Sequence, residues 1–334
     1  MSVRIGINGF GRIGKLVFKL AINRPDIEVA HINDRMDNKM MSHLLKYDSV
    51  HGRFAADIDY DKDSLIVNGS RITVTHSSSP SEIPWDKSNV DIVVESSGRF
   101  KTRELLMGHI HSGAKKVILS SPSEDKSIDK TVVMGVNHTG ISDSDRIISN
   151  ASCTTNCAAM MIRVLDEVFG IQKALMNTVH PFTNNQNLQD GYHSDPRRAR
   201  SALNNIIPTT TSAVGAIHTI FPHLADSFDG MATRVPVADC SFVELYANLK
   251  RSVTVKDIDN AFLEYSKSAL KDYLEYCPDP IVSSDVNNNT HSAIYDALST
   301  KVTGGDLVQI LAWYDNETGY SARIIDLIKH LSDK

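Results

Sequence analysis

The chain has 334 residues, 35 Lys and Arg against 40 Asp and Glu for a net charge of -5, and 41% apolar residues, a length at which two domains are the natural expectation. Mild acidity and scattered basic residues leave no extended electrostatic footprint for nucleic acid or an anionic membrane. No apolar run approaches the ~18 residues of a membrane span, no leader-like segment follows Met1, and four cysteines form neither a disulfide framework nor a Cys/His zinc pattern. The expectation is a cytoplasmic protein with reduced thiols and no metal.

The first half alternates short β-branched runs with helical patterns: strands at 4–8 and 27–32, helices at 12–22 and 38–47. This is the rhythm of a parallel sheet. Residues 65–67 and 72–74 flank Asn68-Gly69, a dipeptide that tolerates positive φ at both central positions of a tight hairpin turn. Strands are expected again at 90–95, 117–119, 131–134 and 146–148, with a helix at 102–111. The fold class is therefore α/β, a doubly wound, Rossmann-type domain ending near residue 150. Beyond it, longer extended runs at 175–179, 234–237, 242–249 and 308–313 suit an α+β domain with a mostly antiparallel sheet. Residues 183–200 are polar and lack either apolar period, so they read as a long loop, a feature uncommon unless functional. Ile324, Ile325, Ile328 and Leu331 share one face of a final helix.

Gly9-Phe10-Gly11-Arg12-Ile13-Gly14 follows the first strand and opens a helix, the context in which Gly9, Gly11 and Gly14 permit a tight turn, close approach of backbone to a pyrophosphate and close helix packing. Asp34 lies twenty residues beyond Gly14, at the end of the second strand. There a carboxylate can accept from ribose hydroxyls; the alternative is a helix N-cap. Arg35 could pair with a 2′-phosphate, but the Asp34 charge opposes one, which favours NAD over NADP.

Cys153 stands where a polar run gives way to an apolar-periodic helix (Ala158, Met161, Ile162, Leu165). A helix N-terminus favours a thiolate. Cys157, one turn further in, reads as a buried small hydrophobe. His180 ends the 175–179 strand and is a candidate base for Cys153. Thr183, Arg197, Arg198, Arg200, Thr209, Thr210, Thr211 and Arg234 are donors suited to an anionic substrate.

The run Ala151-Ser152-Cys153-Thr154-Thr155-Asn156-Cys157, with Lys46-Tyr47-Asp48-Ser49, Asn204-Asn205-Ile206-Ile207-Pro208 and Tyr314-Asp315-Asn316-Glu317, closely resembles the phosphorylating glyceraldehyde-3-phosphate dehydrogenase family from end to end. The resemblance implies NAD-dependent oxidation of glyceraldehyde 3-phosphate to 1,3-bisphosphoglycerate through a Cys153 thioester, with His180 as base. It assigns NAD contacts to Arg12, Ile13, Asp34, Ser120 and Asn316, and the substrate's phosphate to Thr183 and Arg198. Inorganic phosphate falls to Ser152, Thr154, Thr211 and Arg234, with Ser212 adding a hydroxyl where the family normally has glycine. It also implies a homotetramer with the polar loop at the subunit interface. The expected domains are 1–151, with helix 319–334 packed back on it, and 152–318. The related erythrose-4-phosphate dehydrogenases share the signature, and a non-catalytic NAD-binding regulator on the same fold is a further alternative.

Overall fold

The computed structural model describes residues 2–125 and 127–333. The chain divides into two compact units, one of Met1–Val132, Asn137–Ala151 and Ser321–Lys334, the other of Val133–Val136 and Ser152–Tyr320.

In the first unit, strands β1 (Val3–Asn8), β2 (Ile27–Asn33), β3 (Ile58–Tyr60), β4 (Ser64–Val67), β5 (Ser70–Thr75), β6 (Ile92–Glu95), β7 (Lys116–Leu119), β8 (Lys130–Thr131) and β9 (Ile147–Ser149) form one sheet. Its order is β3-β4-β5-β2-β1-β6-β7-β9-β8. All pairs are parallel except β3/β4 and β4/β5. The β4–β5 turn is Asn68-Gly69, with φ of 49° and 79°, the double left-handed conformation expected of that dipeptide. Helices α1 (Arg12–Ala21), α2 (Asn38–Lys46) and α3 (Arg103–His111) complete the crossovers. The strand expected at 131–134 is shorter than its apolar run. Val132, Val133 and Met134 are buried, but only Lys130 and Thr131 pair with β9.

The glycine turn after β1 is dictated by space. Gly9 has φ +94°, and a Cβ there would lie 2.4 Å from the Ser97 Cα; a Cβ on Gly14 would lie 2.1 Å from the Gly9 carbonyl oxygen. A Cβ on Gly11 would meet nothing within 4 Å. Two of the three glycines thus serve the chain's own packing, and the third leaves open space beside the helix start.

In the second unit, α4 (Cys153–Phe169) precedes β10 (Ile171–Pro181), β11 (Ile207–Thr209), α5 (Ala213–Ile220), β12 (Phe228–Val235), β13 (Ser241–Leu249), α6 (Val255–Lys267), β14 (Leu274–Cys277), β15 (Ala293–Asp296), β16 (Lys301–Thr303) and β17 (Leu307–Tyr314). The sheet runs β11-β12-β10-β13-β17-β15-β14, with β16 beside β17. It is mostly antiparallel as expected, but β10/β12 and β14/β15 are parallel. Helix α4 buries Cys157, Ala158, Met161, Ile162 and Leu165 and ends at Gly170, φ +71°. The 183–200 segment carries no helix or strand. The last helix, α7 (Thr318–Ser332), buries Ile324, Ile325, Ile328 and Leu331. No helix among the described residues is long and apolar enough to cross a membrane.

The different surroundings of the glycines generate a stability test. Gly9→Ala must open the backbone contact with Ser97 and adopt a left-handed φ, so it is expected to lose more than ~2 kcal/mol. Gly11→Ala should stay within ~1 kcal/mol, the scale of an N-cap change. Urea unfolding of both variants checks this; equal losses would contradict it.

Candidate active site

The nucleotide end is built in the first unit. No side chain caps α1, and a helix start of this kind is suited to an anion. Beside it lies a cleft of about 210 Å³ lined by Asn8, Gly9, Gly11, Asp34, Ser97 and Arg99, among others. The Asp34 carboxylate accepts the Phe10 amide at 2.6 Å and the Met36 amide at 2.8 Å. The N-cap of α2 is instead Asp37, which removes the N-cap reading of Asp34. Arg35 also lines the cleft. Arg12 donates to Asp48 at 2.9 Å, and that pair, with the Val50 and His51 amides, holds the half-buried Asp48 carboxyl well below the usual range against the cost of burial. Arg12, Ile13 and Ser120 are not part of the cleft lining. The open space at Gly11, the uncapped helix start and the oriented Asp34 carboxylate together fit a dinucleotide.

In the second unit, Cys153 is the first residue of α4, capped by Ser152, whose hydroxyl accepts the Thr155 amide at 3.0 Å. The preceding Ala151 takes φ +55°, a conformation that costs a non-glycine residue about 1–3 kcal/mol and recurs at functional sites. The Cys153 Sγ lies 3.5 Å from His180 Nε2. His180 Nδ1 lies 2.9 Å from the Pro181 carbonyl; with the ring proton on Nδ1, the Nε2 lone pair would face the thiol. The parallel register sets His180 opposite Arg234, and Arg234 Nη1 donates to the same Pro181 carbonyl at 2.8 Å while lying against the imidazole.

The electrostatics differ from the simple expectation for a helix start. Burial pushes the Cys153 thiol up to about 11, although Arg234 and the Thr154 amide pull it down. Burial and then the Arg234 cation lower His180 to about 3. The resting pair is therefore neutral: desolvation outweighs the helix terminus. Cys157 donates to the Ala312 carbonyl and burial drives its thiol well above the ordinary value, as befits a core side chain. All four cysteines are unpaired.

The expected anion ligands divide into committed and open groups. The Ser152 hydroxyl is the helix cap and also pairs with Thr155 Oγ1 at 2.7 Å. The buried Thr154 hydroxyl pairs with Tyr314 at 2.8 Å, and Tyr314 in turn meets Thr178 at 3.0 Å. Neither hydroxyl is idle. Arg198 donates to Thr209 at 2.8 Å and Thr210 at 3.1 Å and faces Asp195 at 3.3 Å. Burial lowers Arg234, and Arg198 is close enough to add to that depression; two mutually repelling cations mark a place for an anion. Thr183 donates to Asn185 at a long 3.4 Å, Thr211 caps the Ala213 amide at 3.2 Å, and the Ser212 side chain is exposed and caps nothing. Asn316 is buried, and its Oδ1 accepts from Ser241 at 2.8 Å, so Nδ2 is the end of the amide that Ser241 does not hold.

Cys153, His180, Arg234 and, through its charge, Arg198 thus come together. Thr209, expected as an anion donor, instead accepts from Arg198; sequence reasoning missed the supporting roles of Tyr314 behind Thr154 and Asp195 beside Arg198, and it missed Ser96 and Ser97 in the cleft. For Ser96 and Ser97 a signal existed, since small polar residues directly follow a parallel strand at its carboxyl end, where α/β sheets bind ligands.

Two family profiles match this chain, the NAD binding domain of glyceraldehyde 3-phosphate dehydrogenase over residues 3–103 and the C-terminal domain of the same enzyme over residues 152–316. The chain is 47% identical over 334 residues to glyceraldehyde-3-phosphate dehydrogenase 2 of Bacillus subtilis (strain 168), covering 99% of this chain and 97% of the relative. It is 48% identical over 335 residues to glyceraldehyde-3-phosphate dehydrogenase of Geobacillus stearothermophilus (100% and 99% covered) and 45% identical to that of Mycobacterium avium (98% of each). With the dinucleotide turn and the Cys153–His180 pair in place, these matches show that the chain belongs to the glyceraldehyde-3-phosphate dehydrogenase family.

Proposed function

We propose that this protein catalyses the NAD-dependent, phosphorylating oxidation of glyceraldehyde 3-phosphate to 1,3-bisphosphoglycerate. The observation that carries the reading is the 3.5 Å approach of the Cys153 sulfur to His180 Nε2, beside two cationic side chains. The domain of residues 1–151 with 319–334 serves the cofactor, and 152–318 the chemistry.

The steps follow from the residues. As the Cys153 sulfur adds to the aldehyde carbon, the thiol proton passes to His180 Nε2 and on to the carbonyl oxygen, giving a hemithioacetal. Bound NAD supplies the acceptor for the hydride that leaves this carbon. His180 takes the hydroxyl proton in the same step, and a thioester remains on Cys153. A phosphate oxygen then attacks the thioester carbonyl, the acyl–sulfur bond breaks, and His180 returns its proton to the leaving sulfur. The first backbone amides of α4 stabilise the oxyanion formed in each addition.

The neutral resting pair gives the substrate's charge a second task. Arg234 depresses His180, so an anion bound at Arg234 and Arg198 offsets that cation and makes the imidazole a stronger base when substrate is present. Thr183 and Arg198 hold the phosphate of the substrate. Arg234, Thr211 and the open Ser212 hydroxyl hold inorganic phosphate; Ser152 and Thr154 contribute through the helix start that they shape.

A homotetramer in the cytoplasm completes the reading. Leu175, Met231, Tyr246 and Leu307 are 61%, 42%, 39% and 41% exposed on the second sheet, and Leu175 sits opposite Tyr246. Apolar side chains clustered on a sheet face, with Tyr192 at 96% exposure on the long loop, support assembly. Four unpaired thiols support a reducing compartment.

Two measurements follow. NADH formation from glyceraldehyde 3-phosphate and from erythrose 4-phosphate, each with and without inorganic phosphate, should give the higher kcat/KM for the triose and acceleration by phosphate. Preference for the tetrose, or no phosphate effect, would contradict the reading. Replacing Arg234 by Gln removes a cation that favours the thiolate, so the pH midpoint for iodoacetamide labelling of Cys153 should move upward; a midpoint unmoved or lowered would show that Arg234 does not act on the sulfur.

A further inference from the structure

Beneath the dinucleotide cleft lies a buried polar network that the chemistry of Cys153 does not use. Glu95, at the end of β6, is 1% exposed, and His109 on α3 is fully buried. Trp85 Nε1–H donates to His109 Nδ1 at 3.0 Å. Because indole can only donate, the remaining imidazole proton sits on Nε2, which donates to Glu95 Oε2 at 3.0 Å.

A second chain reaches the same carboxylate from the other side. Burial lowers His31 to about 4, so the ring is neutral; its Nδ1 accepts from Ser88 at 3.0 Å and its Nε2–H donates to Thr75 Oγ1 at 2.9 Å. Thr75 donates to Asn33 Oδ1 at 2.9 Å, Asn33 Nδ2 donates to Asn8 Oδ1 at 2.8 Å, and Asn8 Nδ2 donates to Glu95 Oε2. His31 also packs edge-on against Trp85, with ring centroids 4.8 Å apart, which closes the ring of side chains. The other carboxylate oxygen, Oε1, accepts the Ser97 amide at 2.8 Å and the Ser97 hydroxyl. Every hydrogen bond in both chains runs towards Glu95, and four donors end on its two oxygens.

The network meets the cleft at several residues. Asn8, Asn33, Ser77 and Ser97 all line it, and Asn33 additionally holds both the amide and the carbonyl of Ser77, at 2.9 and 3.0 Å. Ser97 is the backbone against which Gly9 packs. We propose that Glu95 is a positioning residue for the cofactor, a buried terminal acceptor that fixes three separate walls of the cleft through Asn8, Asn33 and Ser97. The inference rests on the reading of this cleft as the NAD site. It explains why a carboxylate is required: a glutamine would aim its own NH2 at two of the four incoming donors, whichever way it turned.

The test is NAD affinity, measured by titration calorimetry on the whole protein, alongside kcat at saturating NAD. Glu95→Gln should weaken NAD binding at least ~10-fold and leave kcat at saturating NAD within about threefold, because Glu95 touches no reacting atom. Thr75→Val removes one link of the ring at a residue outside the cleft lining, conserves volume, and should weaken NAD about 3- to 10-fold; it decides the matter if Glu95→Gln fails to fold. A lowered Tm with unchanged NAD affinity in these variants would make the network structural only and overturn the proposal, as would a fall in kcat with affinity unchanged. If the unaltered protein binds no NAD, the cofactor reading fails and this inference with it; if it binds and both variants bind equally well, this inference alone fails.

Discussion

The parallel pairing of β10 with β12 is the constraint on which the chemistry rests. In that register His180 stands opposite Arg234, and both converge on the Pro181 carbonyl. A cation is thereby built against the imidazole proposed as the base. In a buried setting such a neighbour is costly, because it depresses the basicity of the ring. The same cation draws the thiol towards ionisation and invites an anion. In the proposed mechanism the arrangement is poorly tuned for a free base and well tuned for one that gains strength when a phosphorylated substrate arrives. Helix α4 contributes the proposed nucleophile at its first residue, and Tyr314 fastens that first turn to the sheet through Thr154 and Thr178.

Much of the first unit was legible because its signals are local. Gly14 packs on the turn itself and Gly11 opens beside the helix start, although the space that dictates Gly9 belongs to distant Ser97, and Asn68-Gly69 specifies a hairpin through its own backbone preferences. Cys153 was legible as a cap-adjacent residue for the same reason. The apolar run at 131–134 misled because burial and strand pairing both select apolar residues, and only the ladder tells them apart. Helix α6 carried an overlooked cue in Thr254 and Asp257, which form a capping box. The parallel β10/β12 pair lay beyond reach, since pairing partners are far apart in the chain and period-two patterns are the same in both orientations.

At the site, residue types were legible and their occupancy was not. Ser152 and Thr154 each offer a hydroxyl on paper, but one caps α4 and the other ties down Tyr314. Protonation was the other blind spot. A helix start argues for a thiolate, yet desolvation of the sulfur exceeds that term, and the size of desolvation depends on packing from distant segments. The Glu95 network shows the same logic at the cofactor end: residues spread over β1, β2, β5, β6 and α3 act together only because the sheet order places them side by side.

The central claim, that Cys153 and His180 together form and discharge a thioester, is tested most directly by mixing the protein with NAD and glyceraldehyde 3-phosphate in the absence of phosphate. The account predicts a burst of NADH approaching one per subunit and an acyl mass adduct on Cys153 that disappears when phosphate is added. It also predicts that the burst slows by about 10²- to 10⁴-fold in His180→Asn, the scale of general acid–base catalysis. An adduct on another residue, or a burst unchanged in His180→Asn, would contradict it.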